Sequence, residues 1–332
     1  MKNDLLVSVC MITYNQEKFI AEAIEGVLMQ QTNFPIELVI GEDCSTDHTR
    51  DICLEYKAKY PDMIKLLLPE NNLGMMRNFI TTFEACTGKY IALCEGDDYW
   101  TDPYKLQKQV DFLEANKDFS ICFHPVKIKN EKENKIVDDY ITRDVQEVTD
   151  IYELAEGNYI HTPSVVFRKN AEVETKIASL YNFRVGDYPL HMLNAQYGKI
   201  KKIPDIMAIY RAGVGVWTSN DTPYCLSAGI DMVDKLIRLL STDDEKIISK
   251  LKKQYGGALF TLYDIYQSKR DSKKAQDLFT YACINYPEII YDEFEKRSSK
   301  LHRITNSMIY QLGLPVLKPI YYLINSSKSK NK

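Results

Sequence analysis

Hydrophobic and polar positions alternate along this chain in two rhythms, and the first third of it shows both. Leu5-Leu6-Val7-Ser8-Val9-Cys10-Met11-Ile12 is a nearly unbroken apolar run, the pattern of a strand buried on both faces of a parallel sheet. Thr13-Tyr14-Asn15 follows as a turn, with Asn15 expected to cap the next helix. Ile20, Ala23, Ile24, Val27 and Leu28 then recur at helical spacing. A second strand is predicted from Ile36 to Gly41, and a second helix enters at Ser45-Thr46-Asp47 and runs through Ile52, Leu54 and Tyr56. Ile64 to Leu68 reads as a third strand, Met76 to Ala85 as a third helix closed by Gly88, and Lys89 to Cys94 as a fourth strand. Strands and helices in this alternation predict a parallel α/β sheet with right-handed crossovers.

From Asp118 the pattern loosens. Phe119 to Phe123 and Thr162 to Arg168 read as strands, and the charged stretch Asn130 to Val148 as an exposed loop or hairpin. Asp187 precedes a helix-like Leu190–Tyr197 segment, and Ile206 to Arg211 leads into Gly213, Gly215 and Trp217. From Thr222 the pattern is helical, with Met232, Val233, Leu236, Leu239 and Leu240 on one face, and it stays so through Gln276–Ile284. The expected organisation is a first domain over 1–220, its halves meeting near 117/118, and a helical extension over 221–332. No Pro/Gly/Ser-rich linker marks the boundary.

Composition adds little to this picture until charge is placed along the chain. With 45% hydrophobic residues the 332-residue chain can bury a core. No cysteine pair has CxxC spacing, so the eight cysteines are expected to be reduced thiols of a cytoplasmic protein. No signal peptide or apolar run of membrane-spanning length is evident. The net charge of −4 hides an asymmetry: Lys296–Lys332 holds eight Lys/Arg and no Asp/Glu, leaving 34 basic and 46 acidic residues elsewhere. Leu312, Leu314, Val316, Leu317 and Ile320–Ile324 form an apolar stretch within this basic tail, broken by Pro315 and Pro319. That combination suits peripheral contact with an anionic membrane at its inner face. The acidic remainder gives no support to nucleic-acid binding.

The chemistry falls at one edge of the predicted sheet. "TYNQE" follows the first strand, "EDCSTD" the second and "EGDDYW" the fourth. Ligands of open α/β sheets bind at the C-terminal ends of strands, where these loops lie. Glu95, Asp97 and Asp98 sit within four positions, and carboxylates so crowded call for a cation. No GxGxxG follows the first strand and no GxxxxGK[ST] occurs anywhere, which disfavours a dinucleotide site and a P-loop.

These residues resemble a known family. "VSVCMITYNQEKFIAEAIEGVLMQQ" is similar to the first strand and helix of family 2 glycosyltransferases with the GT-A fold. "LVIGEDCSTDHT" resembles their VDDGSTD stretch, "NNLGMMRNF" their N-x-G-x-x-x-A-R-N stretch, and "LCEGDDYWTDPYKLQKQ" their D-x-D block. The resemblance covers about residues 1–217. It implies a GT-A fold, Rossmann-like, with a mostly parallel sheet flanked by helices. It implies an inverting transfer of a hexosyl or N-acetylhexosaminyl group from a nucleotide-sugar, a UDP-sugar, to a glycan or lipid-linked acceptor in cell-surface polysaccharide biosynthesis.

By this resemblance Mg²⁺ or Mn²⁺ is held by Asp97 and Asp98, with Glu95 at the first acidic position, where Glu replaces the usual Asp. Asp43, beside Glu42, accepts the base N3–H, while Thr13, Tyr14 and Asn15 line the base pocket. Cys44 stands where the family has Gly, which predicts a different local backbone. Arg77 reaches base or diphosphate. Asp187 in "VGDYPL" matches the catalytic base, with helix capping as its other reading. "YRAGVGVWTS" resembles the loop that closes over the diphosphate as YR-x-H, but lacks the His. Arg211 and Trp217 remain as phosphate contact and lid. His161, Thr162 and Trp100 are the candidate acceptor contacts, whereas His124 and His191 read more readily as structural. Two other functions compete: a nucleotidyltransferase, which "TYNQEKF" disfavours for want of a glycine, and a non-catalytic sugar-nucleotide-binding protein, which needs no base at Asp187.

Overall fold

The computed structural model describes residues 7–215 and 221–291. Within it the chain forms two compact units, residues 7–215 with 235–241, and residues 221–234 with 242–291.

The first unit is built on an eight-stranded sheet in the order β3-β2-β1-β4-β10-β6-β11-β9. Four strands, β1 (Val7–Thr13), β2 (Ile36–Glu42), β3 (Ile64–Leu67) and β4 (Tyr90–Leu93), pair in parallel, as their continuous apolar runs require. Helices α1 (Ile20–Leu28), α2 (Thr49–Lys59) and α3 (Met75–Glu84) connect them. The α3 crossover packs tightly on β2. A Cβ at Gly41 would lie 2.0 Å from Thr82 Oγ1, and Asn78 Nδ2 donates to the Gly41 carbonyl at 2.8 Å.

Beyond β4 the sheet is mixed. β10 (Val166–Arg168) runs antiparallel between β4 and β6 (Phe119–Phe123), and β11 (Lys199–Lys202) pairs parallel to β6 and antiparallel to β9 (Val148–Thr149). The expected strand from Thr162 is shorter than read, because Thr162–Ser164 forms a 3₁₀ turn around Pro163. Helix α4 (Lys105–Ala115) had a readable signal in Leu106, Val110 and Leu113, all fully buried, which the strand-led reading passed over. The stretch read as an exposed loop or hairpin from Asn130 to Val148 begins inside a hairpin of β7 (Lys127–Asn130) with β8 (Lys135–Asp138). Together with β5 (Tyr99–Trp100) and β12 (Ala208–Ala212) this hairpin forms a second sheet, β5-β12-β7-β8. Short helices α5 (Ile151–Leu154) and α6 (Ala171–Lys176) precede α7 (Asp187–Ala195).

The second unit contains α9 (Glu245–Ser268), α10 (Ser272–Asn285) and residues 222–234 of the helix α8 (Thr222–Leu240). The predicted face of α8 is buried from Met232 to Leu240. No described helix is long and apolar enough to cross a membrane. All eight cysteines are free. Trp217 and the basic tail lie outside the described residues.

Candidate functional site

Three loops at the C-terminal ends of β1, β2 and β4 are tied together by their own polar groups. Asp43 N–H donates to the Thr13 carbonyl at 3.0 Å, and Gly96 N–H to the Ile12 carbonyl at 3.0 Å. Asn15, expected to cap α1, does not: α1 begins at Ile20 behind Phe19. Asn15 takes a left-handed backbone (φ 52°), receives the Thr46 N–H at 2.8 Å and donates its own N–H to Ser45 at 3.0 Å, because the β2 loop lies closer than the helix start. Tyr14 is 45% exposed, so it is not core packing and presents a free ring at this edge.

In the β2 loop the adjacent acids do different work. Glu42 is fully buried and pairs with Arg50, while its other oxygen accepts the Ser45 N–H at 2.7 Å. Asp43 accepts from Leu73 N–H at 2.7 Å and Gly74 N–H at 2.9 Å, fastening the entry of α3. Arg77 lies in the first turn of that helix, exposed and without a salt bridge among the described residues. Cys44 takes a left-handed backbone (φ 59°), a conformation that glycine adopts without strain.

The acid cluster follows β4. Asp97 and Asp98 are 5% and 1% exposed, and Glu95 is half-buried. One Asp98 oxygen accepts Arg211 N–H at 2.8 Å; the other, Oδ2, is buried and has no hydrogen-bond partner. Burial, with Asp97 beside it, pushes the Asp98 carboxyl well up, and burial also raises Asp97. Burial, Asp97 and Asp187 together push Glu95 up to about 8. This is a site short of positive charge.

The acids fit a divalent cation. The buried Asp98 Oδ2, without a hydrogen-bond partner, has lone pairs to offer such an ion. Among the described residues no three His, Cys, Asp or Glu side chains form a closed cage. One or two carboxylates can share a divalent ion with substrate phosphates and water. Gly215 lies against the cluster: a Cβ there would be 3.2 Å from Asp97 Oδ2.

Asp187 is brought to the same place. It opens α7 as the first helical residue, not the cap, which is Gly186. Its Oδ2 accepts from Asn158 Nδ2 at 3.1 Å, and its charge acts on Glu95. His161 caps the 3₁₀ turn that Thr162 begins, its Nε2 2.9 Å from Asp139 Oδ2.

Two expected contacts are displaced. Arg211 is 1% exposed and its guanidinium is committed inward, to Glu131 at 2.7 Å, to Glu22 and to the Asp97 carbonyl, between the rings of Phe19 and Tyr99. It shapes the acidic loop instead of reaching phosphate, because three acceptors and two rings compete for it. Trp100 is 2% exposed and donates to the Pro163 carbonyl at 2.8 Å, with Lys105 Nζ 4.1 Å over its ring, so no face is left for an acceptor sugar. His124 and His191 are interior, as read. The sequence reading missed Gln16, whose amide oxygen takes the Thr13 hydroxyl at 2.7 Å and whose side chain bonds Asp97. It also missed Tyr210, which lies in the field of Asp98, Glu95, Asp97 and Asp187. Only strand alternation around Arg211 could have singled Tyr210 out.

Comparisons with known proteins agree with this geometry. The family described as Glycosyl transferase family 2 matches residues 8–175. An uncharacterized Mycobacterium tuberculosis protein is 39% identical over 220 residues, 65% of this chain and 62% of its own. The chain thus spans about three fifths of the length of such curated relatives. TuaG of Bacillus subtilis, named for teichuronic acid biosynthesis, is 36% identical over 108 residues, 32% of this chain and 42% of its own. Among solved structures, S. aureus TarS in complex with UDP-GlcNAc aligns with a TM-score of 0.54 at 17% identity, over 78% of this chain and 80% of that one. The Pyrobaculum calidifontis mannosyltransferase PcManGT, solved with GDP-Man and Mn²⁺, aligns at 0.55 and 13%, over 90% and 81%. Both share the fold.

Proposed function

Because the chain belongs to glycosyl transferase family 2, we propose that it transfers a hexosyl or N-acetylhexosaminyl group, with inversion, from a UDP-sugar to a glycan or lipid-linked glycan. The role we assign is cell-surface polysaccharide biosynthesis, in keeping with the name of TuaG. The observation that carries the reading is the buried, cation-short cluster of Glu95, Asp97 and Asp98 with Asp187 acting on it. A binding protein has no use for Asp187 there.

Tyr14 offers its exposed ring to the base and the Asp43 carboxylate its remaining lone pairs to N3–H, with Thr13 and Asn15 shaping that pocket. Arg77 projects toward the diphosphate as a bidentate donor. Asp97 and Asp98 would hold Mg²⁺ or Mn²⁺, which neutralises the diphosphate leaving group when bound. Asp187 accepts the proton of the acceptor hydroxyl as its oxygen bonds to the anomeric carbon, and the bond from that carbon to the phosphate oxygen breaks to release UDP. Asn158 holds the Asp187 carboxylate in place. His161 and Thr162 face the acceptor. The basic tail extends the proposal to an anionic membrane surface, tested by sedimentation of the full chain and a 1–295 truncation with anionic vesicles.

A thermal-shift series with UDP, UDP-sugars and GDP-mannose, with and without Mn²⁺, tests the reading. UDP compounds should raise the melting temperature by mass action only when metal is present. A response to GDP-mannose alone reassigns the base; no response to any nucleotide overturns the proposal.

A further inference from the structure

Tyr210 stands out among the interior tyrosines. Tyr159 shares a hydrogen bond with Thr149 at 2.7 Å, Tyr188 donates to the Leu154 carbonyl at 3.0 Å, and Tyr90 bonds Glu114 and Arg168. A buried phenol ordinarily finds such a partner. The half-buried Tyr210 has no hydrogen bond among the described residues.

Its position follows from strand geometry. β12 pairs with β5 through Ala208↔Trp100 and Ile209↔Tyr99, so Tyr210 comes directly beside the acid loop. Successive side chains of a strand point to opposite faces. Arg211 turns to Glu22 and Glu131, while its N–H holds Asp98. Tyr210 therefore turns the other way, where its ring meets that of His161 with centroids 4.8 Å apart. The His161 ring is fixed in turn by Asp139, whose carboxylate also accepts Ile141 N–H at 2.8 Å and Thr142 N–H at 3.2 Å. The loop after β8 thus sets the tilt of Tyr210.

Strand pairing sets Tyr210 beside the acid loop. Glu95, Asp97, Asp98 and Asp187 all act on the phenol. A sugar ring carries hydroxyls that need acceptors and oxygens that need donors, and carboxylates meet only the first need. We propose that Tyr210 contacts the transferred sugar, its hydroxyl donating to a sugar oxygen, and that Asp139 and His161 are positioning residues for it. The proposal rests on the nucleotide-sugar reading of the site and adds a specificity residue to it.

Calorimetry with UDP, UDP-glucose and UDP-GlcNAc in Mn²⁺ tests it on wild type, Tyr210→Phe and Asp139→Ala. Tyr210→Phe keeps the ring on His161 and removes only the hydroxyl. It should leave UDP affinity unchanged and weaken binding of the preferred UDP-sugar roughly threefold to tenfold, the size of one neutral hydrogen bond. Asp139→Ala should lose part of the same increment and again spare UDP, which a merely unfolding variant would not do. Unchanged sugar affinity in Tyr210→Phe, or an equal loss for UDP and UDP-sugar, overturns the proposal while leaving the transferase reading intact. Wild type that binds no uridine nucleotide overturns both, and is seen before any variant is compared.

Discussion

The two halves of the first unit position their site residues in opposite ways. In the donor-side half the loops interlock: Asn15 with Ser45 and Thr46, Glu17 with Asp47 and His48, Asp43 with Leu73 and Gly74. Most of these bonds pair short polar side chains with backbone N–H groups of neighbouring loops. In the acceptor-side half each site residue hangs on one or two long-range contacts: Asp187 on Asn158, His161 on Asp139, Tyr210 on His161. Under the proposed function, a preformed net would serve the constant nucleotide diphosphate, and a more loosely tied pocket the variable acceptor.

The largest break in this comparison should come from Asp187→Asn. Turnover should fall on the order of 10²–10⁴-fold, the scale of general-base loss, with UDP affinity retained. Steady-state kinetics with product detection measures it, and near-normal turnover would remove Asp187 as the base.

Stability should separate the halves by pH. Burial pushes His191 down to about 4 and His124 well below its usual value, and both belong to the acceptor-side half. The unfolded chain then binds more protons between about pH 6.5 and 4 than the folded one. Stability is full above that window and is lost as pH falls through it, by on the order of 3 kcal/mol for His191. Urea unfolding at pH 7 and pH 5 should show the loss, and His191→Leu should reduce it; an unchanged slope in the variant would clear His191.

On the donor side, Asp97→Asn removes one anionic ligand and should weaken UDP affinity in Mn²⁺ at least tenfold, about 1.4 kcal/mol. Calorimetry with and without metal reads it, and equal affinities in both proteins would remove Asp97 from the metal site. The smallest effect belongs to Cys44→Gly. A non-glycine residue in the left-handed region costs about 1–2 kcal/mol, of which glycine's extra unfolded entropy takes back 0.5–1. A gain of under about 1 kcal/mol is expected, with nucleotide affinity unchanged; a loss would mean that the thiol, 3.6 Å from the Glu70 carbonyl, contributes more than the strain.

The parallel strands and the three loops at their ends were legible from the chain alone. Continuous apolar runs can be satisfied only by a doubly covered sheet, and Thr13, Asp43 and Asp97 each stand within a few residues of such a run. The clustering of Glu95, Asp97 and Asp98 beside the fourth strand was legible in the same way. Tertiary structure alone decided which of these side chains face the site. Arg211 and Trp100 look as available in sequence as Tyr210, yet the first is drawn inward by Glu22 and Glu131 and the second by the Pro163 carbonyl. Tyr210 is left with the free hydroxyl because strand pairing sends it to the other face. Local pattern determines what a segment becomes, since backbone sterics and burial act within a few residues. Which polar group is consumed by the fold and which is left for a ligand depends on partners roughly 60 to 190 positions away, and no local pattern carries that.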